Sequence, residues 1–260
     1  MAYITKLRSV ILERDIDFTF GIITSGGADA NLDIIVKSIE QQNIPNYEII
    51  IVGQTCIKGN LVRVIPFDES IKKAWITKKK NIIAQEAKYE NIVFLHDYVK
   101  FCPGWYEGFL KFGNHFKICV NRITNLSGKR FRDFCLFKEF LTTPTLLPYS
   151  SKLSPSLSKL AYVSGTYYIV KRDVALRYPL DERLGWNQGE DVLFSQTLSK
   201  GGILFECNSF STVSLLKEKG SFEGEMSQEI YEELTKWAET FGEAVFQQQC
   251  HFQESWASQF

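Results

Sequence analysis

This chain of 260 residues carries no excess of either charge and no long apolar run. Lys plus Arg and Asp plus Glu each number 30, so the formal net charge is zero and no basic footprint for nucleic acid is present. A local basic pocket for a diphosphate stays compatible with that balance. No apolar stretch approaches the ~20 residues that cross a bilayer. Histidine is scarce, at three, and the six cysteines (Cys56, Cys102, Cys119, Cys135, Cys207, Cys250) form no CxxC pair. That spacing excludes the usual zinc and redox motifs, and buried free thiols in a reducing compartment are the expectation. The first residues carry Lys6, Arg8, Glu13 and Arg14 with no apolar signal core. The expected setting is cytoplasmic, with peripheral membrane contact still compatible. Neither GxGxxG nor GxxxxGK[ST] occurs, which argues against a dinucleotide oxidoreductase and a P-loop NTPase. The Gly-rich, Arg-containing loop of a sugar nucleotidyltransferase is also missing after the first predicted strand.

Aromatic residues, by contrast, are plentiful, with twenty Phe and eleven Tyr, and hydrophobic residues make up 45% of the chain. Most of these rings are expected in the core, although flat, partly polar rings also suit sugar stacking. Phe18–Thr24 is a continuous β-prone apolar run that ends in Ser25-Gly26-Gly27, as a buried strand followed by a turn does. Leu32, Ile35, Val36 and Ile39 then recur at helical spacing, with Asp29 or Asn31 as the cap. Further strands are predicted over Tyr47–Val52, Leu61–Ile65 and Asn91–Leu95, and a long helix over Ile71–Ala87. This alternation predicts a mainly parallel sheet with helices on both faces. Ligands of such sheets sit beyond the carboxyl ends of the strands, which selects Thr24, Ser25, Gln54, Thr55, His96 and Asp97 as site candidates. In the second half, a helix is expected over Gly104–Phe112 and a strand over Phe116–Arg122. A long Pro- and Ser-rich loop is expected over 139–159. Tyr162–Val170 reads as a strand interrupted at Ser164-Gly165-Thr166, Gly189–Ser199 as a helix and Ile203–Glu206 as a last strand. Residues 222–249 read as a C-terminal helix.

Three features carry chemistry. A helix bearing Lys80-Asn81 precedes a strand that stops at His96-Asp97-Tyr98. The small-residue turn Ser164-Gly165-Thr166 follows, and Leu184-Gly185-Trp186-Asn187-Gln188-Gly189-Glu190-Asp191 opens a later helix. In this order they resemble the inverting glycosyltransferases of family 2, which have the GT-A fold. The resemblance covers roughly residues 18–215. It implies an α/β, GT-A-type single domain with a mainly parallel central sheet flanked by helices. The boundaries it suggests are an N-terminal lead-in at 1–17, a nucleotide-binding half at 18–100, an acceptor half at 101–215 and a C-terminal helical extension at 216–260.

The resemblance also implies roles. The donor is a nucleotide sugar, UDP-sugars being favoured, and the acceptor is a hydroxyl of a glycan or lipid-linked glycan. Thr24, Ser25, Gln54, Lys80, Asn81, His96 and Asp97 would bind the donor. A divalent metal, Mn²⁺ or Mg²⁺, would sit at Asp97 and His96, because departure of a nucleoside diphosphate builds charge that must be neutralised. Here the sequence departs from the family, with His96-Asp97-Tyr98 standing in place of Asp-x-Asp. Asp191 would be the general base, with Glu190 beside it contacting the acceptor or a structural donor; taken alone, the two acids read as ordinary helix N-terminal residues facing the dipole. Trp186, Ser164 and Gly165 would face the acceptor, and Arg130–Phe134 lies on that side or is structural. The alternative is a non-catalytic nucleotide- or glycan-binding module with a degenerate GT-A fold.

Overall fold

A computed structural model describes residues 15–136, 145–149, 153–220 and 226–260. The lead-in segment, apart from residues 15–17, and part of the 139–159 stretch lie outside the described residues. In chain order the elements are β1 (Phe18–Ile23), α1 (Asp29–Glu40), β2 (Tyr47–Val52), β3 (Val62–Ile65), α2 (Ile76–Glu86), β4 (Asn91–His96), β5 (Val99–Phe101) and α3 (Trp105–Phe112). There follow β6 (Ile118–Thr124), β7 (Phe134–Leu136), β8 (Thr145–Leu146), α4 (Pro155–Leu160), β9 (Ala161–Val163), β10 (Tyr167–Lys171), α5 (Arg172–Arg177), α6 (Glu190–Lys200), β11 (Phe205–Leu215) and α7 (Gln228–Ala257).

Eight strands form one sheet in the order β3-β2-β1-β4-β10-β6-β11-β5, and β8-β7-β9 form a small second one. The first half is parallel, as the uninterrupted apolar strands FTFGII and YEIIIV demand of a sheet buried on both faces. The second half is mixed: β10 runs antiparallel between β4 and β6, β11 is parallel to β6, and β5 closes the edge antiparallel to β11.

Alternating strand residues feed two cores. Phe18, Phe20 and Ile22 point to the face covered by Leu32, Ile35 and Ile39 of α1 and by Trp105 and Phe109 of α3. Ile23, Ile50, Val52, Phe94 and Tyr168 point to the other face, under Ile83 of α2, Val174 of α5 and Phe194 of α6. Leu157 of α4 and Leu234, Ala238 and Phe246 of α7 continue that second core. The aromatic surplus is largely spent here: Trp105 packs edge-on to Phe18 and Phe101 with ring centroids 5.0 Å apart in each case, and its indole N–H donates to the Tyr167 hydroxyl at 2.8 Å. Each such buried ring contributes roughly 1.5–3 kcal/mol of transfer free energy.

Gly21 sets how close α2 lies to β1. A Cβ there would stand 2.3 Å from Cγ2 of Ile83, so only a bare backbone admits the helix at this distance. That approach brings the preceding turn of α2, with Lys79 and Lys80, to the carboxyl end of β1.

Three expected elements differ. The helix predicted from Ile71 begins at Ile76, because Ala74 has a positive φ of 52° and its N–H goes to the Glu69 carboxylate at 3.0 Å. The expected loop at 139–159 contains α4, capped by Ser154, whose side chain accepts from the Leu157 N–H, with a proline in its first turn. The last strand runs to Leu215 rather than Glu206: its polar middle is buried, with Asn208 donating to Ser211 Oγ at 2.9 Å and Ser211 Oγ donating to the Trp105 carbonyl at 2.7 Å. α1 has no side-chain cap; the Asp29 carboxylate instead accepts from Thr55 Oγ1 at 2.6 Å.

Candidate active site

The carboxyl ends of β1 and β4 lie side by side, since Ile23 pairs with His96 in the parallel register. Beyond them opens a cleft of about 250 Å³ lined by Thr24, Ser25, Gly26, Ala74, Ile76, Lys79, His96, Asp97 and Trp186 among others. Thr24 Oγ1 donates to Asp97 Oδ2 at 2.7 Å and accepts from the Gly26 N–H at 3.2 Å, which ties the two strand ends together. Gly53, at φ 142°, lets the end of β2 approach Thr24: a Cβ would stand 2.2 Å from the Thr24 carbonyl oxygen. Trp186 is 62% exposed, unlike most of the rings, and its indole forms one wall. Thr24, Ser25, His96, Asp97 and Trp186 are therefore brought together. Gln54 is exposed beside Gly26 and does not line the cleft.

The lysine run of α2 divides its work. Lys79 is buried; its ammonium donates to the Thr24 carbonyl at 2.7 Å and to Ser25 Oγ at 3.3 Å, and pairs with Glu69. Lys80, expected at the donor, is also fully buried but turns away from the cleft. Its Nζ donates to the Gly165 carbonyl at 2.7 Å and lies 4.9 Å from the Tyr168 ring centroid. Desolvation lowers its pKa, opposed by the charges of Glu190 and Asp191. Asn81 does not line the cleft either: its amide donates to the Leu180 carbonyl and its Oδ1 accepts from the Leu180 N–H, each at 2.9 Å, so it pins the chain ahead of Trp186.

Glu190 and Asp191 open α6 after Gly189, whose left-handed φ of 76° makes the turn. Asp191 is partly exposed; its carboxylate accepts from the Gly165 N–H and the Val192 N–H, both at 3.0 Å. Glu190 is buried, and burial together with the neighbouring Asp191 charge raises its carboxyl to about 7. Both carboxyl groups crowd Gly165: a Cβ there would stand 2.7 Å from Glu190 Oε1 and 3.2 Å from the Asp191 Cβ. Ser164, fully buried, accepts from the Thr166 N–H at 3.3 Å and offers nothing to the cleft.

Further lysines that the sequence does not single out lie at the cleft or beside its His96 wall. Lys79 was hidden in a run of three lysines that faces nearly every direction of a helix. Lys217 and Lys219 follow β11, and both sit on Tyr98. Lys219 Nζ is 2.8 Å from the Tyr98 hydroxyl and Lys217 Nζ 3.7 Å from the ring centroid. The Tyr98 ring in turn lies 5.3 Å from that of His96. Burial first, then the charges of Lys80, Lys219 and Lys217, hold the His96 imidazole neutral, well below its ordinary pKa.

Asp97 and His96 are the side chains at these strand ends that could hold a divalent cation, with donor phosphates and water completing its shell. Asp97 and His96 are two donors, and among the described residues no group of three His, Cys, Asp or Glu side chains converges. One oxygen of the Asp97 carboxylate accepts from Thr24 Oγ1, and the His96 imidazole is held neutral, the form that can ligate a metal.

Sheet order, the flanking helices and the C-terminal helix define a GT-A-type glycosyltransferase fold. A solved structure that shares it, described as "Crystal structure of GalNAc-T7 with UDP, GalNAc and Mn2+", matches with a TM-score of 0.59 at 15% identity, over 86% of this chain and 48% of that one. The chain thus spans about half the length of that neighbour. No family model matches the sequence, and no curated protein matches it as a relative.

Proposed function

We propose that this protein transfers a sugar from a nucleotide-sugar donor, a UDP-sugar in the favoured case, to a hydroxyl of a glycan or lipid-linked glycan. One observation carries the reading: a cleft beyond the β1 and β4 strand ends, walled by an exposed indole, is joined through His96 and the Gly165 backbone to a carboxylate fixed by two backbone N–H groups. The neighbour's bound UDP and GalNAc support it by analogy of fold. The domain is residues 18–215, and the extension at 216–260 adds to it the segment after β11 and α7, which packs on the second core.

In this reading Thr24, Ser25 and Lys79 hold the nucleoside end, and Trp186 stacks on a sugar. The acceptor oxygen attacks the anomeric carbon as the bond from that carbon to the diphosphate breaks. The bonding pair leaves on the diphosphate oxygen, and the acceptor proton passes to the Asp191 carboxylate. Glu190 and Lys80 lie buried behind it, each within reach of the other's charge. In-line attack inverts the anomeric centre.

Release of UDP from UDP-sugars, with and without glycan acceptors, tests the assignment. Asp191→Asn is expected to lower turnover by about 10²–10⁴-fold, the usual weight of a general base, with UDP affinity nearly unchanged. Unchanged turnover removes Asp191 from the chemistry. A product of retained configuration, seen by NMR, would refute inversion alone. Nucleotide binding without turnover of any UDP-sugar would favour the non-catalytic module.

A further inference from the structure

The segment that leaves β11 is built rather than loose. The Leu216 N–H donates to the Tyr98 carbonyl at 2.8 Å, the Asn125 amide donates to the Lys219 carbonyl at 3.2 Å, and the Glu218 carboxylate accepts from the Ser127 N–H at 3.1 Å. Three anchors therefore fix a backbone that presents Lys217 and Lys219 on one side and spends its acid on the other. Both ammonium groups lie over Tyr98, Lys219 also 5.1 Å from the Phe131 ring centroid. Among the described residues neither lysine has a carboxylate at ion-pair distance. Arg132 adds a third cation, and its buried Nε has no partner among the described residues. The Asp191 charge acts on both Lys219 and Arg132, and with three cations to one such carboxylate a further anion would lower the cost of packing them together.

We propose that Lys217 and Lys219 receive the diphosphate of the nucleotide-sugar donor, so that fixed cations, in place of a divalent metal, take up the charge of the leaving group. The inference rests on the transferase reading. It follows from two features of this chain: an acidic strand end with a single carboxylate, Asp97, one oxygen of which Thr24 engages, and a lysine cluster joined to that end through Tyr98 and His96. As the anomeric bond breaks, the electron pair lands on a phosphate oxygen. The ammonium groups are already protonated and stabilise that oxygen through charge-assisted hydrogen bonds, with no proton transfer required. Lysine serves here as a point charge on a short tether, and the pinned segment limits what ordering it costs. Burial and the nearby Lys217 and Arg132 charges lower the Lys219 ammonium to about 8, opposed by the Asp191 charge.

The experiment is calorimetric binding of UDP, GDP, ADP, CDP and dTDP, each with EDTA or with MnCl2, alongside the matching nucleosides. It uses the full chain and its Lys217→Gln, Lys219→Gln and Lys219→Arg variants. One diphosphate is expected to bind in EDTA. Either glutamine variant should weaken it about tenfold, the weight of one charged hydrogen bond, with nucleoside affinity unchanged. Lys219→Arg should recover most of the loss, which also shows that the site still folds. Binding that needs Mn²⁺, or that the glutamine variants leave intact, overturns the proposal and leaves the transferase reading standing. If no diphosphate binds under either condition, the transferase reading itself fails and this proposal with it.

Discussion

Glu190 is a carboxyl group withdrawn from water with a lysine and an aspartate for neighbours. Because its folded pKa, about 7, lies above the ordinary value of 4.5, the folded state binds its proton more tightly than the unfolded chain does. Its contribution is therefore fully present below about 4.5 and is lost as pH rises toward about 7. Urea unfolding across that interval should show the wild-type protein losing stability, and Glu190→Gln losing less; parallel curves would place the proton elsewhere. Gly21 acts on packing alone. Gly21→Ala puts a methyl against Ile83 and should destabilise the fold by ~1–3 kcal/mol, the usual cost of overpacking, read as a lower urea midpoint. The site at this scale was half legible. Thr24, Ser25, His96, Asp97 and Trp186 follow from where strands stop and a ring stands exposed. The choice among three successive lysines depended on the helix phase, which Gly21 fixes and the run itself conceals.

Among the elements, α7 does more than cover a core. Its far end reaches the turn before α6: Gln253 Nε2 donates to the Gly189 carbonyl at 3.3 Å and the Trp256 indole N–H to the Gln188 carbonyl at 3.0 Å. Helix and turn thus hold Trp186 and Asp191 in fixed relation. Gln253→Ala combined with Trp256→Phe removes both bonds at a stability cost of about 1 kcal/mol each. Under the transferase reading the pair should raise KM for acceptor more than it lowers the melting temperature; an unchanged KM would make α7 a structural cover only. Strongly periodic elements such as α1, α6 and the apolar strands were readable from spacing. β11 was not, because Asn208 and Ser211 look like loop residues until their buried partners are seen. α4 was missed although Ser154-Pro155 carries a helix start, since the surrounding Ser and Pro content resembles a loop.

At the scale of the whole molecule, the two cores share one sheet, and α7 adds Leu234, Ala238, Phe246 and Cys250 to the larger of them. Helix and sheet should therefore melt together: far-ultraviolet and near-ultraviolet circular dichroism are expected to give coincident unfolding curves, and an early loss of helix alone would show α7 to be a separable unit. The sheet edge has a kinetic consequence. β5 pairs with β11, strands from distant parts of the chain, and the lysine-bearing segment is fastened to Tyr98 just beyond that pair. Closing so long a loop spends entropy before any local contact returns it, so this edge assembles after the parallel half has nucleated. In a refolding time course followed by pulsed deuterium labelling, the amide of Leu216 should gain protection in the last phase. Affinity for anions should reappear with it, so that a partly folded chain would display a nucleoside cleft well before it acquired a grip on phosphate.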